Sequence, residues 1–348
     1  MSSHPSRRAV LAGSAALGAL GHPLAAFSEA SIPSNAPPAA MQAVLDYVQG
    51  QKTTGFLIIR NRQVLVEKNW PLPDDAVQFR AAAAYETTPE GALLEDVASQ
   101  QKSFVAVLAA IAVDKGLIDL NKPVNAYLGA AWSKASPEQE ANIRVIDVLT
   151  MSSGLTTEFA YVAPPGAVFL YNTPVYAATK RILAAAANQP LETITRDWLT
   201  APAGMNNTHW RKRPAALADV GNPTGLVTSP RDIAKLGQIV LDGGKAADGA
   251  RIVSEAGLKA MFTRSAANPA YGLLWWLNGS AYTIKPLAER VERPLIAAAP
   301  SDLVAALGAF DRKLYIAPSR ALIVVRTGQA APDRDFDQHL WLRLAAAL

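Results

Sequence analysis

The spacing of apolar residues changes twice along the chain. Residues 41–48 carry them at helical intervals, whereas 55–60 (GFLIIR) and 63–67 (QVLVE) crowd them into short runs. Only Asn61 and Arg62 separate those runs, a two-residue polar break that predicts a hairpin. Residues 313–317 and 321–326 repeat the strand pattern around Pro318-Ser319-Arg320, and 340–348 predicts a closing helix. The middle is different. From about Ser99 to Phe262, stretches such as SFVAVLAAIAVDKGL and YAATKRILAAAA place Ala and Leu at helical spacing. Strands at both ends with helices between them predict an α/β (α+β) fold. One antiparallel sheet is built from both termini and flanked by helices, a mostly helical region is inserted, and a cleft opens where they meet. The expected division is 39–98 plus 265–348 for the sheet region and 99–264 for the helical region, one domain in all, after a Pro/Ser/Asn linker at 31–38.

Residues 1–30 depart from this pattern. Ser6-Arg7-Arg8 leads into AVLAGSAALGAL and then into small residues around Leu24-Ala25-Ala26. Charged, apolar and small-residue regions in that order predict a secretory signal, and the paired arginines predict the twin-arginine type. The apolar part is too short to span a bilayer. The expected mature chain begins between Phe27 and Ser31, is periplasmic or secreted, and has no integral membrane segment.

Composition narrows the chemistry. Half of the 348 residues are hydrophobic, and 33 Lys+Arg stand against 29 Asp+Glu, a net charge of only +4. No basic cluster is interleaved with aromatics, so nucleic acid is not an expected partner. The run Arg211-Lys212-Arg213 reads as a solvated loop. Cysteine is absent, which excludes disulfides and thiol catalysis. The four histidines show no metal-ligand spacing, and the glycines form neither G-x-G-x-x-G nor a P-loop. Neither a metal nor a cofactor is expected.

The candidate chemistry lies in LEDVASQQKSFVA, residues 94–106. Ser99 and Lys102 stand at i and i+3, on one face of a helix, with Phe104, Val105, Leu108 and Ile111 behind them. A serine hydroxyl is nearly inert at neutral pH and needs a base. A lysine serves as that base when a dry setting or a nearby cation makes its neutral form accessible. Taken alone, the pair is better explained by a helix-capping serine and a surface lysine. A second polar group comes from PPGAVFLYNTPVY, which sets Tyr171, Asn172 and Thr173 at a turn before a helix. A tyrosine beside a lysine can share the proton work, and Asn and Thr offer donors and acceptors to a polar substrate.

With these residues in place, the chain from about Met41 onward resembles the serine β-lactamase-like, penicillin-recognising hydrolases. The closest branch is the class C β-lactamases and esterases, including the 6-aminohexanoate-dimer hydrolases. IRVIDVLTMSSGL, TGLVTSPRDIAKLG and YGLLWWLNG resemble further landmarks of that family in the expected order. The resemblance implies a β-lactamase/transpeptidase-like fold and an acyl-enzyme on Ser99, with Lys102 as base and Tyr171 as the acid/base that serves the leaving group. Two departures qualify it. The family's Tyr-x-Asn has Thr173 at its third position, with the asparagine at 172. The Lys-Thr-Gly or His-x-Gly strand motif is matched best by Ala306-Leu307-Gly308, without the cation or imidazole. Gly308 still permits close approach, and the Ala309 N–H is expected to pair with that of Ser99 as an oxyanion hole. Asn172, Thr173, Gly308 and Ala309 are thus the expected substrate-binding residues.

Trp275 and Trp276 either line an acyl pocket or pack in the core. Asp311 and Arg312 read as a surface ion pair. The expected activity is hydrolysis of an ester or amide by an exported serine hydrolase. Two alternatives stay open: a β-lactamase or D,D-peptidase acting on lactams or peptidoglycan peptides, and a family-shaped binding module without catalysis.

Overall fold

The computed structural model describes residues 38–348 other than 219 and 288. The expected export signal and the linker up to residue 37 therefore lie outside the described residues. Pro38, the last residue of that expected linker, instead opens the helix Pro38–Gly50.

Strands β1 (Thr53–Arg60) and β2 (Gln63–Asn69) form the expected hairpin. Asn61 and Arg62 have φ of 49° and 64°, the left-handed pair that matches a tight turn to the twist of its strands. Next come β3 (Ala84–Thr87), β4 (Leu93–Asp96), β5 (His209–Lys212) and β6 (Thr224–Thr228). The C-terminal third supplies β7 (Trp276–Leu277), β8 (Thr283–Ile284), β9 (Arg290–Val291), β10 (Val304–Gly308), β11 (Arg312–Ala317) and β12 (Leu322–Gly328).

The main sheet runs β2-β1-β12-β11-β10-β7, antiparallel throughout. Both ends of the chain meet at its centre, where β1 pairs with β12 from Thr53↔Gly328 to Arg60↔Leu322. No residue of β1, β11 or β12 is exposed, so both faces are covered. The helices Pro38–Gly50 and Phe336–Ala347 pack on each other, the first also on β1, and Pro230–Leu241 lies on β1, β11 and β12.

Helix Gln101–Asp114 is buried at every position from Gln101 to Ala112. A helix apolar on nearly all sides belongs at the centre of a core, and this one packs against Thr173–Ala187 and Glu255–Met261. The mainly helical region 99–264 also carries strands. β5 and β6 return to β4 and complete a second sheet, β3-β4-β6-β5. Strands of four or five residues offer too few positions for a periodic pattern to declare itself. Among the described residues no helix is long and apolar enough to cross a membrane.

Candidate active site

β4 ends in Glu95-Asp96, and two residues later the chain turns at Ala98, whose φ is 49°. The 3-10 turn Ala98–Gln100 then runs straight into helix Gln101–Asp114. Ser99 rides on that turn, just ahead of the α-helix. A non-glycine residue in the left-handed region persists only where its surroundings fix it, and two carboxylates do so here. Asp96 accepts the Ala98 N–H at 2.8 Å and is gripped bidentately by Arg213 at 2.7 and 2.8 Å. Glu95 accepts from the Thr54 hydroxyl and from the Gly328 N–H at 3.1 Å, and pairs with Arg312 at 3.2 Å. Adjacent strand residues point to opposite faces, so one acid ties the turn to the rim of the small sheet and the other ties it to the main sheet. A Cβ at Gly225 would stand 1.9 Å from Asp96 Oδ2, so β6 needs glycine there.

Lys102 is 1 % exposed. Its Nζ donates to Ser99 Oγ at 2.9 Å and to Thr173 Oγ1 at 3.2 Å. No carboxylate pairs with it among the described residues; instead the Tyr171 and Tyr176 rings flank it at 4.9 and 4.7 Å. Burial holds its pKa well below the usual lysine range, with the Arg213 and Lys180 cations acting in the same direction. Burial pushes Tyr171 up to about 12, partly opposed by a hydrogen bond with Ser99. Both shifts favour the uncharged forms, the deprotonated lysine and the protonated tyrosine.

Ser99 and Tyr171 share a cavity of about 380 Å³ with Trp276, Leu307, Gly308 and Ala309. The hairpin β8–β9 and its flanks close it with Thr283, Lys285, Pro286 and Leu295. Trp276 stacks on Tyr171 at 5.9 Å, whereas Trp275 is fully buried in the core against Phe262. A Cβ on Gly308 would stand 2.3 Å from the Val97 carbonyl oxygen, so only glycine lets β10 run this close to the turn. Gln100 Nε2 donates to the Ala306 carbonyl at 3.3 Å, and Arg312 donates to that of Ala309 at 3.3 Å. These contacts fix the Ala309 backbone beside Ser99.

Ser99, Lys102, Tyr171, Gly308 and Ala309 therefore come together. Asn172 does not join them. It is buried, caps helix Thr173–Ala187 through the Val175 N–H at 3.0 Å, and donates to the Leu155 carbonyl at 2.8 Å. Both ends of its amide bond to the fold, and it does not line the cavity. Thr173 holds Lys102 and does not line the cavity. Ala306 faces the core. Asp311 and Arg312 are no surface pair: Asp311 meets Lys313 at 3.2 Å, while fully buried Arg312 lies against the Phe79 and Phe310 rings at 4.9 and 4.8 Å. Arg213 likewise leaves the expected solvated loop to grip Asp96. Sequence reasoning missed Asp96, Arg213, Tyr176 and Lys180. The one available signal was that Asp96 and Tyr176 lie within the two stretches already singled out.

Comparisons with known proteins bear on the family and the fold. No curated protein matches the sequence. A protein described as a 6-aminohexanoate-dimer hydrolase from Bacillus anthracis superposes with a TM-score of 0.65 at 16% identity, over 92% of this chain and 87% of that one. EstCE1, a hydrolase with promiscuous acyltransferase activity, gives 0.62 at 15% identity over 89% and 98%. A class C beta-lactamase mutant gives 0.65 at 16% identity over 89% and 98%. These similarities share the fold. The Beta-lactamase family model matches residues 43–348, and with that match over most of its length the chain belongs to the beta-lactamase family and has its serine-hydrolase fold.

Proposed function

We propose that the protein is an exported esterase or amidase that passes through an acyl-enzyme on Ser99. The observation that carries this reading is the 2.9 Å contact between Ser99 Oγ and a lysine Nζ buried without a carboxylate partner. Neutral Lys102 takes the hydroxyl proton as Oγ attacks the substrate carbonyl. The oxyanion that forms is met by the N–H groups of Ser99 and Ala309. Tyr171 gives its proton to the departing alcohol or amine and regains one through Lys102. Water then attacks the acyl carbon, and Ser99 leaves with a proton. Ester or linear amide substrates are favoured over lactams because Asn172 is consumed as a helix cap, Thr173 holds the lysine, and Leu307 stands at the cavity beside a buried Ala306.

Mass spectrometry after treatment with a fluorophosphonate probe tests the reaction. An adduct on Ser99 that Ser99→Ala abolishes is expected, and no adduct on the wild-type protein would leave only the binding-module reading. Turnover of p-nitrophenyl butyrate without turnover of nitrocefin is expected, and rapid nitrocefin hydrolysis would reverse the substrate preference. Export rests on the segment 1–30, and N-terminal sequencing of secreted or periplasmic protein should read from a residue between Phe27 and Ser31.

A further inference from the structure

Behind Lys102 lies a second buried lysine to which the chemistry above gives no part. Lys180 sits within helix Thr173–Ala187, beyond its Tyr171-Asn172-Thr173 start, and is 7% exposed. Its Nζ donates to Gln101 Oε1 at 3.3 Å, to Asn222 Oδ1 at 2.5 Å, and to the Thr224 carbonyl and hydroxyl at 2.9 and 2.8 Å. Every one of these acceptors is neutral. The Trp210 ring covers it at 4.8 Å. Asp96 is the acid that acts on it, but that carboxylate is held bidentately by Arg213. A buried ammonium is usually paired with an acid because desolvation is costly. Lys180 instead has a cradle of dipoles and one face against the small cavity formed with Pro174, Arg181, Gly221 and Pro223.

Its position relative to Lys102 gives that charge a role. The Tyr176 ring centroid lies 4.7 Å from Lys102 Nζ and 5.8 Å from Lys180 Nζ. Gln101, the neighbour of Lys102 on its helix, accepts from both the Tyr176 hydroxyl at 3.4 Å and Lys180. One aromatic ring therefore separates two lysines in a dry core, where charges interact strongly. We infer that Lys180 is a positioning residue for the base: its ammonium, deprived of a free carboxylate, disfavours a proton on Lys102 and so keeps the Ser99 partner in its accepting form. Arg213 contributes in the same sense, yet it also grips Asp96, which holds the nucleophile turn, whereas Lys180 touches neither Ser99 nor the cavity. Burial brings Lys180 itself to about 7, so its charge is present in the acid range, where Lys102 most needs to resist protonation.

This inference rests on the acyl-enzyme reading, and one experiment separates the two. The rate of Ser99 labelling by a fluorophosphonate is measured against pH on the full-length protein, with circular dichroism to report folding. Wild type should show a plateau and an acid limb set by Lys102. In Lys180→Met the limb should move up by about one pH unit, the lower end of the effect of a nearby charge, with the plateau retained. Lys180→Arg, which restores the charge, should return the limb to its wild-type place. Lys180→Gln, neutral but able to bond to the same cradle, should behave as Lys180→Met does and replaces it if Met does not fold. A limb that stays in place in the neutral variants, with or without a lower plateau, overturns the inference. A wild-type protein that labels at no pH overturns the acyl-enzyme reading instead.

Discussion

Lys102 places function and stability in opposition within one side chain. Burial depresses its pKa, so over the interval up to the ordinary lysine value of about 10.4 the unfolded chain holds a proton that the folded chain does not. The unfolded state then binds more protons, and stability rises with pH across that interval. Lys102→Met removes this penalty. The variant should lose all turnover yet melt at a higher temperature than wild type, and the gain should shrink as pH approaches 10.4. A lower melting temperature at every pH would show that the Ser99 and Thr173 contacts outweigh the buried charge. Tyr171 has the converse character. It is held protonated up to about 12, so on the proposed mechanism it has a proton to give over the physiological range. Tyr171→Phe should reduce turnover by roughly 10²–10⁴, the scale of a positioned acid/base, with little change in the melting temperature.

At the level of elements, strand β10 and the cap of helix Thr173–Ala187 do different work, and substitution separates them. Gly308→Ala forces a Cβ against the Val97 carbonyl, which should cost about 2 kcal/mol by overpacking and push Ala309 away from Ser99. Its kcat should fall more steeply than its melting temperature suggests. Asn172→Ala removes a helix cap worth about 1 kcal/mol and leaves the Leu155 carbonyl without its donor. It should lower stability while KM for p-nitrophenyl butyrate changes little, and a large KM rise would restore Asn172 to the substrate site. The same contrast explains what the sequence could disclose. Ser99 and Lys102 were legible because both sit on one local stretch whose geometry follows from helical spacing. Asn172 and Thr173 were expected at the substrate, but one caps a helix and the other holds Lys102, because residues next to a tyrosine at a turn can serve the fold as easily as a ligand. Arg213 and Lys180 were not legible as site residues, because nothing local predicts that distant segments will converge on one turn.

In the whole molecule, the hairpin β1–β2, strands β11 and β12 and the closing helix follow closely from hydrophobic spacing, since each is long enough to show its period. The small sheet does not, because its strands are short and its central pairing, β4 with β6, bridges more than a hundred residues, as in Asp96↔Val227. The pairing of β1 with β12 carries a consequence for the order in which the chain becomes a protein. A growing chain has Ser99, Lys102 and Tyr171 in hand long before Leu322–Gly328 exists to lie beside Thr53–Arg60. Until then Glu95 lacks its Gly328 donor and β1 keeps an open edge, the condition in which strands seek wrong partners. A chain ended at residue 320 should contain Ser99, Lys102 and Tyr171 yet neither fold cooperatively nor take up a fluorophosphonate. Adding residues 321–348 as a separate peptide should restore folding and labelling together, by supplying the strand that pairs with β1. On this topology, catalytic competence arrives last, with the strand that carries none of the chemistry.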